Sequence, residues 1–377
     1  MKIALVAHNI MGGDGQSTTM YALAKHAVEQ GHSVSLVANY VAPELVKAGC
    51  KHIFIPLKFQ RPHLFKVWEF AKRVDAWARR EGSGFDVVHA VGFSLTVPHT
   101  VNTCQFVHGA WLRSGANRNT SISIAYAAYQ RTYTLVNARW EQRAFAAARN
   151  VVAVSERVQA ELMALGLRSP SIRVIPNGVD IGRFYHGAED RERFGLPLGV
   201  TLFLFSGDIR TPRKNLDTVL AALERLPDSV HLVVAADAKS SPFVGMATEK
   251  GIAHRVHFIG FRKDLPVVMR AVDAFVFPSR YEACALVLLE AAASGLPIIT
   301  ARSTGGSEFL SRESGYFMDD PNDSEQLAEF MRNVAGSSDL REQMGKAARA
   351  SAEKCSWKRV CGDYMELYAQ TLSTANA

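Results

Sequence analysis

Two glutamates, Glu282 and Glu290, lie in the segment PSRYEACALVLLEAAASGLP. The pattern predicts a strand that ends at Phe277 and a helix that begins near Leu286, so Glu282 falls in the loop and Glu290 one turn inside the helix. A helix tip offers free N–H groups to an anion, and carboxylates accept hydrogen bonds from hydroxyl groups. This spacing suits a phosphate held between hydroxyl-rich sugars. The alternative interpretation is that Glu282 is a solvated loop residue and Glu290 a charge on the helix surface.

Four charged residues occupy a second predicted strand-to-helix connection, FSGDIRTPRKNLDTVL: Asp208, Arg210, Arg213 and Lys214. Paired cations at such a position can neutralise a departing diphosphate. Exposed charges at a helix entry are the simpler alternative.

The first half contains a glycine-rich turn, HNIMGGDGQSTTMY, after its first predicted strand. Gly13 and Gly15 would let the backbone approach a phosphate. The turn is not a dinucleotide fingerprint, because Thr18 stands where a third glycine belongs and no acid follows the second strand. Further on, His108 in QFVHGAW is predicted to end a strand, a position at which histidine is more often structural.

Short apolar runs alternate with amphipathic stretches along the chain, which predicts βαβ units and parallel sheets. Turn residues in VIPNGVDIGRFY (174–185) interrupt the rhythm. We therefore predict an α/β protein with two doubly wound domains, 1–175 and 176–355, and a C-terminal helix within 356–377 whose apolar stripe packs back on the first domain. Ligands of such sheets bind beyond the carboxyl ends of the strands, and two such domains imply a cleft.

The segment from Glu282 to Glu290 resembles the Glu-x7-Glu motif of the retaining glycosyltransferases, a large family that includes lipopolysaccharide glucosyltransferases and mannosyltransferases. The resemblance covers nearly the whole chain. It implies the GT-B fold, with two Rossmann-like domains facing across a cleft and the donor bound mainly by the second. It also implies a retaining, metal-independent hexosyltransferase that needs no cofactor besides its co-substrate, a nucleotide-diphosphate sugar carrying UDP or GDP.

The resemblance assigns roles to the residues around the helix tip. Glu282 would contact the transferred sugar and Glu290 the ribose hydroxyl groups. The backbone amides of Ala285, Leu286 and Val287 would reach the sugar and the diphosphate.

The basic connection also matches the family, with Arg213 and Lys214 as its diphosphate-binding residues. Many members have an arginine directly after the glycine, where this chain has Asp208. The resemblance leaves Arg210 as a substitute for that phosphate contact.

Three further positions match family features in or near the donor site. Counting back from Gly31, the two glycines of the family loop fall at Asp14 and Gly15, although Gly13 also precedes the helix. His108 would approach the donor sugar near its C6 hydroxyl group. The turn FIGFRKDLP would cover the nucleobase near Arg262.

Charge is distributed unevenly along the 377 residues, which carry 43 Lys and Arg against 36 Asp and Glu. Residues 1–175 hold 20 basic against 10 acidic residues, which leaves 23 against 26 for the rest. A basic first domain favours an anionic acceptor, an anionic membrane surface or nucleic acid, unless it is only a solvated face. The stretch 61–80, where Phe65, Trp68 and Trp77 interleave with lysine and arginine, and the arginines of 113–143 are the candidate surfaces.

Composition narrows the class of protein. The chain shows no secretory signal or membrane-spanning run, and its five cysteines lack C-x-x-C spacing. These features favour a cytoplasmic protein. The resemblance then implies an enzyme, peripheral at the inner membrane face, that transfers sugar to a saccharide or glycolipid in polysaccharide or lipopolysaccharide synthesis. An epimerase or a phosphorylase with a pyridoxal-bound lysine is an alternative; a nucleic-acid-binding protein is a distant one, because no compact basic motif is present.

Overall fold

The computed structural model of the protein describes residues 1–13, 15–59, 61–114, 124–167, 172–239 and 241–374. The chain forms two compact units. The first ends at Asn177 and also contains the helix Trp357–Ser373, and the second is formed by Gly178–Ser356. The chain therefore changes unit at residues 177 and 356, next to the positions 175 and 355 expected from the sequence.

The first unit is built on a seven-stranded parallel sheet with strand order β5-β3-β1-β6-β7-β8-β9. Two short strands, β2 and β4, pair with each other in a separate two-stranded parallel sheet. The strands are β1 Lys2–Val6, β2 Asn9–Ile10, β3 Ser33–Ala38, β4 Tyr40–Val41, β5 Lys51–Phe54, β6 Val87–Val91, β7 His99–Cys104, β8 Ala148–Ala153 and β9 Ile172–Val174. The helices are α1 Gly15–Glu29, α2 Pro43–Lys47, α3 His63–Glu81, α4 His108–Arg113, α5 Ile124–Ala147, α6 Glu156–Ala164 and α13 Trp357–Ser373.

The second unit has a six-stranded parallel sheet with strand order β12-β11-β10-β13-β14-β15. Its strands are β10 Thr201–Ser206, β11 Val230–Ala235, β12 Val256–Phe258, β13 Ala274–Phe277, β14 Ile298–Ala301 and β15 Gly315–Met318. Its helices are α7 Leu216–Leu223, α8 Phe243–Glu249, α9 Leu265–Arg270, α10 Leu286–Ala293, α11 Ser324–Gly336 and α12 Ser338–Lys354. Both units are therefore α/β, as predicted.

Local signals account for several of these boundaries. The side chain of Ser155 accepts a hydrogen bond from the amide of Val158 (3.1 Å) and so caps the N-terminus of α6. Gly31 has φ +76° just after α1, where a left-handed residue ends the helix at little cost.

The helix α13 belongs to the core of the first unit. Its residues Val360, Tyr364, Leu367 and Tyr368 are buried there, as their 3.6-residue spacing predicts. The hydroxyl group of Tyr368 lies 2.5 Å from Nδ1 of the buried His89 on β6, so a polar contact fixes the register of the helix.

Two predictions about the first unit are wrong. The strand that we expected to end at His108 ends at Cys104 instead, as β7. Its sequence, HTVNTC, is largely polar, so a search for apolar runs does not find it. Asn102 on β7 is fully buried because its amide donates to the carbonyl of Gly92 (2.9 Å). The indole of Trp77 is also buried, 2% exposed, and is a core residue of α3 instead of a surface anchor.

Candidate active site

The carboxyl end of β13 leads into the loop before α10. Ala285 caps the helix with its backbone only, and its amide donates to the carbonyl of Gly305 (2.8 Å). The predicted contact of the Ala285 amide with a donor is therefore not available, because that N–H is used inside the protein. In the described part of the chain, the amides of Leu286 and Val287 have no acceptor, so the tip of α10 keeps two N–H groups for an anion.

Glu282 lies in this loop with 8% of its surface exposed. One carboxylate oxygen, Oε1, accepts hydrogen bonds from Nζ of Lys214 (2.6 Å), Nη1 of Arg213 (3.0 Å) and Oγ of Ser279 (3.2 Å). The structure therefore brings together three residues that the sequence predicts for one site. Two cations share one buried anion, which leaves a net positive charge beside the helix tip.

The side chain of Lys214 is closely surrounded by Glu282, Phe277 and Gly207. Burial lowers the pKa of its ammonium group, and the neighbouring Glu282 carboxylate opposes that shift. The ammonium also lies 5.2 Å from the ring centre of Phe277. A β-carbon at Gly207 would come within 3.4 Å of the lysine side chain, so the glycine after β10 makes room for it.

The loop that carries Arg213 and Lys214 is held by residues that sequence reasoning missed. Asn215 adopts a left-handed conformation (φ +67°) and is fully buried. Its side-chain amide donates to the carbonyl groups of Pro278 (2.8 Å) and Pro321 (2.6 Å). Asparagine tolerates this backbone geometry better than other residues with a side chain, which was the available signal.

An ion pair ties the same two loops together from the other side. The guanidinium group of Arg280 binds both carboxylate oxygens of Asp217, at 3.0 and 2.6 Å. The amide of Arg280 also donates to the carbonyl of Arg213 (3.0 Å). Bidentate pairs fix orientation as well as distance, so the basic loop and the glutamate loop behave as one piece.

A third loop, which follows β14, forms a backbone hydrogen bond with Glu282. The amide of Gly305 donates to the carbonyl of Glu282 (3.1 Å). A β-carbon at Gly305 would lie 2.1 Å from the carbonyl oxygen of Ala283, so only glycine fits. Sequence analysis missed this residue, although the Gly-Gly pair at 305–306, four residues after the end of β14, was a signal for a close backbone approach.

Glu290 is half-buried on α10. Burial raises the pKa of its carboxyl group to about 7, and the charge of Arg183 works against that shift. Within the described residues no hydrogen bond or ion pair holds the carboxylate. An acid left without a partner beside an anion-binding helix tip is able to accept hydrogen bonds from a ligand.

Two other predicted contacts are engaged inside the protein. The guanidinium group of Arg262 binds both carboxylate oxygens of Asp264, at 2.8 and 2.6 Å, and lies 5.2 Å from the ring centre of Phe194. The guanidinium group of Arg210 binds Asp208 in the same way, at 2.9 and 2.8 Å. This pairing lowers the pKa of the Asp208 carboxyl group and neutralises the arginine that the sequence offered as a substitute phosphate contact.

In the first unit, His108 begins α4 and does not end a strand as predicted. Its ring Nδ1 contacts a carboxylate oxygen of the buried Glu141, and its amide donates to the other oxygen (2.9 Å). Glu141 thus orients the ring at the start of the helix, a positioning contact that motif reasoning did not find.

The glycine loop of the first unit leads into α1. Gly13 has φ +115°, and its amide donates to the hydroxyl group of Thr18 (3.0 Å). Gly15 is the first residue of α1. Asp14, the alternative position of the family's first glycine, lies outside the described residues.

The first unit also contains a cavity of about 380 Å³ beyond the carboxyl ends of its strands. His108 and Glu141 line it, together with His8 after β1, Phe93 after β6 and Tyr133 on α5. The predicted site residues therefore form two sets, one in each unit.

In the described ranges, no helix is long and apolar enough to cross a membrane. The same ranges contain no cluster of three or more His, Cys, Asp and Glu side chains with the geometry of a metal site.

Two family models match the chain in succession. Residues 13–183 match the model described as glycosyltransferase family 4. Residues 187–351, which include Arg213, Lys214, Glu282 and Glu290, match the model described as glycosyl transferases group 1.

Curated relatives cover the chain to different extents. The lipopolysaccharide glucosyltransferase WaaG of Escherichia coli is 24% identical over 369 residues, which is 94% of this chain and 94% of the relative. A D-inositol 3-phosphate glycosyltransferase of Xylanimonas cellulosilytica is 29% identical over 246 residues, 61% of this chain and 59% of the relative. The match to that second relative thus spans little more than half of its length.

Solved structures of glycosyltransferases have the same fold. The crystal structure of WaaG aligns with a TM-score of 0.75 and 21% identity, covering 97% of this chain and 99% of that one. The structure of Anabaena HepE in complex with UDP-glucose aligns with a TM-score of 0.71 and 20% identity, covering 99% and 100%. These two folds, together with the two family models that match residues 13–183 and 187–351, show that the chain belongs to the glycosyltransferases of GT-B fold that join a family 4 domain to a group 1 domain.

Proposed function

We propose that this protein transfers a hexose from a nucleoside diphosphate sugar to a hydroxyl group of a saccharide or glycolipid acceptor, with retention of anomeric configuration. One observation carries the proposal: Arg213, Lys214 and Glu282 form a single hydrogen-bonded cluster next to the open amides of Leu286 and Val287. The glycosyltransferase family matches favour transfer over the epimerase and phosphorylase alternatives.

The cluster suits a diphosphate leaving group. Breaking the bond between the sugar and the diphosphate leaves additional negative charge on the phosphate oxygen. Lys214 and Arg213 supply positive charge that Glu282 only partly neutralises, and the amides of α10 supply oriented donors. Preorganised groups of this kind stabilise developing charge without reorganising during the reaction.

The two glutamates take different parts of the donor. Among the described residues, the second carboxylate oxygen of Glu282 has no hydrogen-bond donor, and in our proposal it accepts a hydrogen bond from the transferred sugar. Glu290 accepts hydrogen bonds from the ribose hydroxyl groups, which requires its ionised form.

The chemical step needs no nucleophile from the protein. The acceptor oxygen forms a bond to the anomeric carbon on the face that the diphosphate leaves, as the bond to the phosphate oxygen breaks. That leaving oxygen takes the proton of the acceptor hydroxyl group, so charge and atoms balance. We propose no metal ion and no cofactor other than the nucleotide sugar.

The comparisons suggest which molecules are involved. HepE was solved with UDP-glucose, and WaaG is a lipopolysaccharide glucosyltransferase. We therefore propose UDP as the donor nucleotide, with GDP as the alternative, and an acceptor that belongs to lipopolysaccharide or another polysaccharide. We propose that the reaction takes place in the cytoplasm.

A donor panel tests the assignment directly. Thermal unfolding is measured with UDP-, GDP- and ADP-sugars, and we expect one nucleotide series to raise the midpoint. Transfer from the radiolabelled donor is then measured for Lys214→Ala and Glu290→Ala, with Lys250→Ala as a matched control because Lys250 pairs with Glu224 on the surface of the same unit. Wild-type turnover by both site variants, or stabilisation by none of the sugars, would refute the proposal.

A membrane surface is the second proposed partner, and an aromatic patch on the first unit supports it. Phe59 (46%), Phe65 (50%) and Trp68 (40%) are exposed, and the rings of Phe59 and Phe65 lie 6.0 Å apart. Lys72 is exposed one helical turn after Trp68, and Lys58 is exposed next to Phe59. Aromatic side chains with flanking lysines suit the interface of an anionic bilayer.

Flotation with vesicles tests this partner. We expect the protein to float with vesicles that contain phosphatidylglycerol and to stay behind with neutral phosphatidylcholine. The variant Phe65→Ala/Trp68→Ala should lose flotation, whereas Leu198→Ala, which removes an even more exposed apolar side chain from the second unit, should not. Equal flotation with neutral vesicles would remove the membrane from the proposal.

A further inference from the structure

The helix α10 carries two parts of the proposed donor site on only eight residues. Its tip presents the amides of Leu286 and Val287, Glu290 lies in its second turn, and Ala293 is its last residue. At about 1.5 Å of rise per residue the whole helix is about 12 Å long. A contact that holds the far end of so short a helix therefore also fixes the tip and Glu290.

Arg349 on α12 binds that far end. Its Nη1 donates to the carbonyl of Ala293 (2.6 Å), which has no acceptor role inside the helix, and a cation there also complements the helix dipole. The same nitrogen donates to the carbonyl of Phe184 (2.7 Å), and Nη2 donates to that of Ile181 (3.2 Å). Nε binds the carboxylate of Glu353 (2.8 Å). One planar guanidinium group thus joins α10, α12 and the turn 181–184, which the fork of donors on arginine permits.

A second contact brings α12 close to the same point. Gly345 lies one helical turn before Arg349, and a β-carbon there would come 2.2 Å from the carbonyl oxygen of Gly295. Gly295 follows the end of α10 with φ +73°. The end of α10 is therefore held against α12 at two points, one by close backbone approach and one by hydrogen bonds.

The turn that Arg349 binds has a fixed backbone of its own. The side-chain Oδ1 of Asp180 accepts hydrogen bonds from the amides of Gly182 (3.1 Å) and Arg183 (3.0 Å). The carbonyl of Asp180 accepts one from the amide of Phe184 (2.8 Å). Arg349 holds this turn from both sides of Arg183, so the position of the Arg183 backbone relative to α10 depends on Arg349.

The side chain of Arg183 reaches two parts of the second unit that concern the donor nucleoside. Its guanidinium group donates to the carbonyl of Lys263 (3.1 Å), in the turn that was predicted to cover the nucleobase. Its positive charge also acts on the carboxyl group of Glu290, where it opposes the rise in pKa that burial causes. Arg183 therefore influences the acid that we assign to the ribose.

Other charges near α10 are balanced by partners. Besides the cluster at the helix tip, the charged or titratable groups on the surrounding elements include His186, Arg262, Lys263, Asp264, Glu342, Lys346, Arg349 and Glu353. Six of these eight groups form three ion pairs: Arg262 with Asp264, Lys346 with Glu342 and Arg349 with Glu353. His186 and Lys263 are exposed. In the described part of the chain, Arg183 is the cation that lowers the pKa of Glu290.

We propose that Arg349 is a positioning residue of the donor site: it holds the turn of Arg183 against the end of α10, and Arg183 then keeps Glu290 available as a carboxylate for the ribose. The inference rests on the proposed function for the role of Glu290. Arg349 itself touches neither the donor nor Glu290 and acts only through the turn and the helix. Arg183 acts through its charge.

The mechanism has a pH dependence with a defined sign. Without the charge of Arg183, burial acts unopposed and the pKa of Glu290 rises above its wild-type value of about 7. Glu290 is then protonated in more of the molecules at neutral pH, whereas it is ionised with or without Arg183 at pH 9. A rise of about one unit lowers the ionised fraction at pH 7 about fivefold, and the affinity for the donor falls by the same factor.

Nuclear magnetic resonance of the full chain without donor provides the first test. The side-chain carboxyl carbons of glutamate are labelled, and the Glu290 signal is assigned by its loss in Glu290→Gln. We expect the pKa of Glu290 to rise by about one unit in Arg183→Gln and in Arg349→Lys, which keeps the charge of Arg349 but loses the fork. Arg183→Lys, which keeps the charge next to Glu290, should titrate close to wild type.

The double variant Arg183→Gln/Arg349→Lys tests whether the two arginines act in series. Because Arg349 acts through Arg183, we expect no larger shift than in Arg183→Gln alone. A wild-type titration of Glu290 in Arg349→Lys would overturn the proposal. Arg183→Gln changes an exposed side chain and should fold even if Arg349→Lys does not, so an unchanged titration there would overturn the proposal by itself.

Calorimetry with UDP-glucose at pH 7 and at pH 9 provides the second test. Relative to wild type at the same pH, Arg183→Gln and Arg349→Lys should bind about fivefold more weakly at pH 7 and almost equally at pH 9. Arg332→Lys is the matched control, because Arg332 also donates to a backbone carbonyl of the second unit, that of Arg225 (3.1 Å). An equal loss at both pH values would mean that Arg183 contacts the donor directly, which contradicts the proposal.

The two tests separate this inference from the proposed function. The titration of Glu290 requires no donor, whereas the proposed function requires that the wild-type protein binds a nucleotide sugar. Shifted titrations in the variants, together with a wild-type protein that binds neither UDP-glucose nor a GDP-sugar, would refute the proposed function alone. Tight binding of UDP-glucose by wild type, together with unshifted titrations in both single variants, would overturn the inference alone.

Discussion

The two units present polar groups at the carboxyl ends of their strands in different hydrogen-bonding states. In the second unit, Glu282, Arg213 and Lys214 are hydrogen-bonded to one another before any ligand binds. In the first unit, His8 lines the cavity with neither ring nitrogen bonded to a described residue. We infer that the donor site is preorganised for its ligand.

Preorganisation also explains the difference in supporting structure. Three loops of the second unit are joined by Asn215, by the pair of Arg280 and Asp217, and by Gly305. Catalysis of a charge-separating step depends on such fixed geometry. The cavity of the first unit is instead lined in part by the aromatic rings of Phe70, Phe93 and Tyr133.

The largest expected effect comes from removing the shared anion of the donor site. Glu282→Ala leaves Arg213 and Lys214 facing each other without a counter-ion, so we expect transfer to fall by about 10²–10³ and the free energy of unfolding by about 3 kcal/mol. Steady-state kinetics and urea unfolding measure the two quantities. Glu224→Ala, which breaks an exposed ion pair in the same unit, is the control. A Glu282→Ala enzyme with wild-type kinetics would mean that the cluster is only structural.

The second prediction tests whether the loop behind Glu282 must be rigid. Gly305→Ala places a β-carbon 2.1 Å from the carbonyl oxygen of Ala283, so the loop must shift. We expect a loss of about 1–3 kcal/mol in the free energy of unfolding and weaker binding of UDP-glucose. Gly336→Ala serves as the control, because an added β-carbon there meets nothing within 4 Å. Unchanged binding by Gly305→Ala would show that the donor site tolerates displacement of this loop.

The third prediction sharpens the comparison through pH. Because burial raises the pKa of Glu290 to about 7, its carboxyl group is half protonated at neutral pH. If the donor binds only the ionised form, affinity for UDP-glucose falls about tenfold from the high-pH plateau to pH 6.

Calorimetry measures this pH dependence. The ligand is UDP-glucose, because free UDP carries a terminal phosphate that itself titrates near pH 6. Glu290→Gln should bind more weakly but with a flat pH profile. The folded-state pKa is raised, so the stabilisation from the protonated acid is fully present below about pH 4.5 and is lost as pH rises through 7. Glu290→Gln should therefore gain stability relative to wild type between pH 5 and 7. A wild-type binding profile that is flat from pH 6 to 8 contradicts the assigned role.

The comparison also shows how far sequence reasoning reaches. The rhythm of apolar runs and the charged loops predicted both sheets, the start of α10 at Leu286 and the meeting of Glu282 with Lys214. These features follow from the local sequence and from the rule that ligands of parallel sheets bind beyond the carboxyl ends of the strands. The strand β7 was missed because its buried polar side chains find partners outside the strand: Thr103 pairs with His89, and the amide of Asn102 donates to the carbonyl of Gly92.

Other features required the coordinates for a similar reason. The missing hydrogen-bond partners of the His8 nitrogens, among the described residues, and the tight fit of Gly305 both depend on which groups surround them. No rule of sequence spacing encodes such surroundings. The pair of Asp208 and Arg210 lies only two positions apart, yet its letters fit a phosphate contact as well as an internal ion pair. Motifs predict which residues gather, whereas partner choice among neighbouring charges is a three-dimensional property.

The smallest expected effect tests that pair. Asp208→Asn removes the negative charge that binds the guanidinium group of Arg210 and leaves a cation near the basic loop. The pair is exposed, so its own strength is modest and stability should change by less than about 1 kcal/mol. A freed arginine can contact a phosphate, and we expect the KM for the nucleotide sugar to fall about two- to threefold with kcat unchanged. The double variant Asp208→Asn/Arg210→Ala should return to the wild-type KM. If Asp208→Asn raises KM instead, Asp208 itself contacts the donor, and the donor site of the second unit depends on an acid that the family comparison treats as a departure.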